Sequence, residues 1–77
     1  MSKFPIKSVF EQIAKEVFVL NNVSTAKETI NLFLSEKKIN EIDKKTILFN
    51  VNKCNSMYHL NRYICNSLLK FEGLSVN

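Results

Sequence analysis

The sequence predicts an all-α fold: a three-helix domain, two short helices followed by one long C-terminal helix, associating into a helical-bundle oligomer. Three observations predict it. The stretch from Asn40 to Gly73 holds the longest sustained apolar periodicity in the chain, with helix-boundary chemistry at both ends. Ser8 with Glu11, and Thr25 with Glu28, each match a capping box, in which a hydroxyl accepts from the N3 amide while a carboxylate reaches back. Asn21-Asn22 and Ile39-Asn40 fall between the periodic stretches, where asparagine competes for backbone hydrogen bonds and stops a helix. The expected elements are a lead-in over 1–7, helices over 8–20, 25–37 and 41–72, and a loosely held tail over 73–77.

The lead-in reads as extended at Phe4-Pro5-Ile6, because the residue before a proline is pushed out of the helical region; alternatively Pro5 occupies a first-turn position. Val9, Phe10, Ile13, Ala14, Val17, Phe18 and Leu20 then follow the helical i, i+3, i+4 rule, with Lys7, Glu11, Lys15 and Glu16 largely on the other face. A rival reading makes Glu16 to Leu20 a strand, since β-branched and aromatic residues cluster there.

Ser24 or Thr25 caps the second helix, whose buried stripe is Ala26, Ile30, Phe33 and Leu34, with Leu32 on a flank. It ends in Glu36-Lys37-Lys38, cations where the helix dipole favours them.

The third helix opens on an Asn40 cap with Glu41 and Asp43 in its first turn, and closes with Lys70 and with Gly73 as a left-handed C′ residue. Two apolar stripes run along it. Ile47, Val51, Cys54, Tyr58, Asn61, Cys65 and Leu68 alternate spacings of four and three, a heptad seam with one polar member at Asn61. Met57, Leu60, Ile64 and Phe71 form a second stripe, joined by Leu68 and Leu69. The weak point is Asn50 to Ser56, where Asn50, Asn52, Asn55 and Ser56 are mediocre helix formers. A break there would give four helices, and Thr46 to Val51 taken alone could pass as a strand.

Composition narrows the function. A chain of 77 residues buries only about 60% of its unfolded surface, and small unstapled domains often gain stability by oligomerising. Cys54 and Cys65 are eleven residues apart, roughly 16 Å along one straight helix, beyond disulfide reach. Free thiols, no apolar run near the ~18–20 residues of a membrane span, and no signal-peptide core at the N-terminus imply a cytoplasmic protein. Abundant Asn, Lys, Ile and Phe, with one glycine and one proline, is the bias of A·T-rich coding DNA and suggests a low-GC microbe or its virus.

Catalytic chemistry has little to build on. His59 is the sole histidine, Cys54 and Cys65 stand five and six residues from it, and such spacing supplies neither a zinc site nor a same-face nucleophile and base. One glycine provides no phosphate loop. The expectation is a non-enzymatic protein without cofactor or metal.

The sequence favours a self-associating protein that occupies a macromolecular partner as regulator, inhibitor or adaptor. Met57, Tyr58, Leu60, Asn61, Ile64, Leu68 and Phe71 are the expected interface, and Tyr, Arg and Met are the types that dominate interface energetics. An asparagine in an apolar seam fixes register at a cost in stability. On this reading Leu60→Asp or Ile64→Asp dissociates the oligomer and leaves helicity intact.

A second reading is a DNA- or RNA-binding protein. The net charge of +4, from ten lysines and one arginine against seven acids, permits such a partner without requiring it. Lys37, Lys38, Lys44 and Lys45 would contact phosphates, while His59, Arg62 and Tyr63 stack on bases or bond their edges. A third reading is an oligomer that sequesters a small phosphorylated nucleotide, with Arg62 and a lysine at the phosphates and Tyr58 or Tyr63 on the base.

Overall fold

The structure, a computed structural model, describes residues 5–71, and these form four helices with no strand among them. Helix α1 spans Ile6–Val17, α2 Val23–Glu36, α3 Glu41–Lys53 and α4 Met57–Phe71. The all-α expectation holds, and both strand readings fall on helix or on the turn after α1. The three-helix description is corrected: the expected long helix is two, broken at Cys54 to Ser56. The proposed C′ glycine, Gly73, and the tail lie outside the described residues.

The break has a local chemical cause. Cys54 is extended (φ −76°, ψ 130°), and its N–H closes α3 with a tight bond to the Val51 carbonyl. The Asn50 amide donates to the Thr46 carbonyl, and the Cys54 thiol donates to the Asn50 carbonyl. Lys27, from α2, donates to the freed Asn52 carbonyl at 3.4 Å. The next helix then starts anew, because the Ser56 hydroxyl accepts the His59 N–H. Asparagine and serine side chains here substitute for the backbone ladder, which is why they are poor in helix interiors and common at boundaries.

Asparagine also starts two other helices. Asn40 accepts from the N–H groups of Ile42 and Asp43, as its position predicts. In α2 the cap is Asn22, which accepts from Thr25, so Ser24 and Thr25 lie inside the first turn. Pro5 caps α1 with φ −62° and ψ 143°, and Ser8 likewise sits within the helix. Both capping-box patterns are thus one turn too late, displaced by a proline whose fixed φ suits a helix start and by an asparagine that caps as well as stops.

Short connections fold each helix back along its neighbour, the habit of antiparallel bundles. The Phe10 ring of α1 lies 5.7 Å from Tyr63 and 5.9 Å from Phe71 of α4, and Ile6 lines the same gap. Asp43 and Thr46 of α3 line this gap with Lys70 and Phe71, and Asn50 hydrogen-bonds Tyr63. One end of the bundle therefore carries the start of α1, the α2–α3 turn and the end of α4.

The core is apolar throughout. Val9, Phe10, Ile13, Ala14 and Val17 of α1 pack with Ala26, Ile30 and Leu34 of α2, Ile47 and Val51 of α3, and Leu60 and Ile64 of α4. Ile39 in the α2–α3 turn and Cys54 at the break are drawn in as well. Leu32 remains on the outside, as its flank position predicts, whereas Phe18, expected in the stripe of the first helix, is exposed because α1 ends at Val17.

Candidate functional site

The break in the long helix decides what α4 offers to a partner. A heptad seam from Ile47 to Leu68 needs one continuous helix, so that spacings of three and four stay in phase. After the break the phase is reset. Ile47, Val51 and Cys54 face the core, whereas Tyr58 is 65% exposed and Cys65 is exposed. The other stripe takes the inner position: Leu60 and Ile64 are each 0% exposed, and Met57 and Leu68 pack against the core from its edge. Phe71 sits at the rim, its ring 5.9 Å from that of Phe10.

Of the residues expected at an interface, Leu60 and Ile64 are thus sealed within the chain. Tyr58 and Cys65 lie on an outward strip of α4, with Asn61, Leu68 and Leu69 half-buried along its edge. Cys65, Leu68 and Leu69 line, with Glu11 of α1, a concavity of about 480 Å³ whose wall is mostly apolar. Asn61 lies one turn before Cys65, and its Oδ1 is buried with no hydrogen-bond partner among the described residues. An acceptor in that state carries a desolvation cost of about 1–3 kcal/mol.

The polar candidates are scattered. Arg62 donates to the Tyr58 hydroxyl at 2.8 Å and lies over its ring. His59 shares a 2.8 Å ring-nitrogen contact with Asn55 and stands beside Tyr58. Tyr63 points elsewhere, edge-on to Phe10 at 5.7 Å, into the gap between α3 and α4. Burial raises the Tyr63 phenol above its ordinary value, offset by the neighbouring Asn50 and Ser67. Tyr58 and Tyr63 do not share a site.

Nor do the four lysines of the α2–α3 turn gather into one. Lys37 lies over the Phe33 ring and lines a shallow surface with Glu16 and Glu36. Lys44 pairs with Glu41 at 3.8 Å, and Lys38 and Lys45 are exposed. The turn sits at the end of the bundle that holds the C-terminus of α4, and Tyr58 is about 18 Å away along that helix. The basic turn and the Tyr58–Arg62 segment therefore occupy opposite ends.

Among the described residues no three His, Cys, Asp or Glu side chains cluster to hold a metal ion, and no helix is long and apolar enough to cross a membrane. Spacing alone could have placed Cys65 and Leu69 together. Glu11 needed the fold, because it reaches the same concavity from another helix. The chain shows no significant match to a family model, a curated protein or a solved structure.

Proposed function

We propose that this chain is a small non-enzymatic helical protein that self-associates and occupies a macromolecular partner, acting as a regulator, inhibitor or adaptor. The observation that carries this reading is the outward strip of α4, where Cys65, Leu68 and Leu69 border an apolar concavity. Apolar side chains left at a helix surface beside a hollow are what a second helix covers. Asn61 adds specificity, since an amide both donates and accepts and so complements its own copy across a two-fold axis. Turning the amide would bring its orphaned oxygen to such a partner.

The nucleic-acid reading draws less support. Its basic turn is partly neutralised by Glu41 and lies far from the aromatic segment meant to act with it.

The test is light scattering coupled to size-exclusion chromatography, on the protein and on Leu69→Asp. The protein is expected above its 8.9 kDa chain mass at micromolar concentration, and the variant at that mass with its helical circular dichroism unchanged. A wild-type peak at the chain mass across that range would overturn self-association through this strip.

A further inference from the structure

The gap between α3 and α4, on a different face from the strip above, holds a cleft with two continuous halves. Asn50, Tyr63, Ser67 and Lys70 line both. The inner half, about 340 Å³, has a floor of Phe10, Ile47 and Phe71 and one acid, Asp43. The outer half, about 430 Å³, adds Asn66, and among the described residues lining it Lys70 carries the only charge. These volumes are of the size that holds small molecules, and convergent polar groups around an apolar floor are the usual composition of such sites.

The two halves ask for different chemistry. In the outer half Lys70 offers an ammonium and Asn66 an amide. Asn50 is engaged within the chain, with the Thr46 carbonyl and the Tyr63 phenol. The Ser67 hydroxyl spends its one hydrogen on the Tyr63 carbonyl and so brings no donor to a head group. An ammonium beside an amide N–H matches a phosphate or carboxylate head. In the inner half the Phe71 and Tyr63 rings both pack on the buried Phe10 ring, at 5.9 Å and 5.7 Å, and Phe71, 39% exposed, leaves a surface on which a flat ring can lie. Asp43 at that end accepts from a donor on the ring and repels a second negative charge.

We propose that this cleft binds a small aromatic anion, its ring against Phe71 and Tyr63 and its single phosphate or carboxylate at Lys70 and Asn66. The site is independent of self-association.

The test is a two-dimensional amide NMR titration of the full chain with adenosine 5′-monophosphate for the phosphate arm and indole-3-acetate for the carboxylate arm. Adenosine and inorganic phosphate serve as controls for each half alone. Saturable shifts are expected at Asn50, Tyr63, Asn66 and Ser67 with one or both anions, and whichever acts identifies the head group. Each control should bind more weakly than the anion that carries both halves. Lys70→Gln should weaken binding about tenfold, the scale of one charge-assisted hydrogen bond, while Lys45→Gln leaves it unchanged. No saturable shift with either anion would overturn the proposal. Equal losses in Lys45→Gln and Lys70→Gln, or inorganic phosphate binding as tightly as the nucleotide, would reduce it to general attraction by surface lysines.

Discussion

The Ser56 hydroxyl accepts the His59 backbone N–H at 3.2 Å, one turn before Leu60, the first fully buried side chain of α4. That bond fixes where the last helix begins and hence which of its faces turns inward. The Ser56 carbonyl takes the Leu60 N–H as well, so the cap and the first turn form together.

Ser56→Ala removes the hydroxyl acceptor and leaves the backbone unchanged. It is expected to cost about 1 kcal/mol, the usual scale for an N-cap, read as a lower midpoint in urea unfolding with the slope unaltered. An unchanged midpoint would mean that packing alone sets the start of α4.

Leu60→Asp is expected to unfold the chain. The sequence places Leu60 in a seam between copies, where an aspartate would separate subunits and spare the helices. The structure places it at 0% exposure inside one copy. A charge there meets no partner in an apolar core, and even Leu60→Ala should cost roughly 2–5 kcal/mol. Circular dichroism decides between the two: loss of helical signal supports the core position, and retained signal with a halved mass restores the seam.

Cys54 and Cys65 should differ in alkylation by at least about tenfold, Cys65 reacting first with iodoacetamide at pH 8. Burial raises the Cys54 thiol above its ordinary 9.0, and the nearby Lys27 ammonium offsets only part of this. The folded state thus favours the protonated thiol. Its contribution to stability is complete below the unfolded value and is lost as pH rises through the folded one. Mass spectrometry of digested samples gives the two rates. If copies meet along the α4 strip, labelling of Cys65 slows as protein concentration rises while that of Cys54 does not.

Much of the fold is legible in the residue order, because helix boundaries here are short-range chemistry. Asn40 caps as its place before Glu41 and Asp43 indicates. The stripe Val9, Phe10, Ile13, Ala14 and Val17 is buried as its spacing requires. The cluster of poor helix formers from Asn50 to Ser56 marks the region where the chain breaks. Misplaced boundaries have local causes too: Asn22 reads equally as the end of one helix and the cap of the next, and a capping box is a pattern that helix interiors also contain.

The candidate sites were less legible, since each is made by side chains from more than one helix. Periodicity marks Cys65 and Leu68 as apolar positions of α4, yet Glu11 shares their concavity only because α1 runs antiparallel beside them. Lys70 reads as a dipole-compensating cation at a helix end, and Asn50 as a weak helix former. They become one cleft with Tyr63 through the packing of α3 on α4.

By itself the sequence determined that this protein is helical, where its first three helices start and its first two stop to within a turn, and which side chains are apolar enough to be buried. Those properties depend on residues within one or two turns of each other. Only the tertiary structure decided which of the two α4 stripes would be core. Both have helical spacing, and the choice rests on the angle at which the chain leaves Cys54 and on the space that α1 and α2 leave for Leu60 and Ile64, a relation between segments that no local pattern encodes.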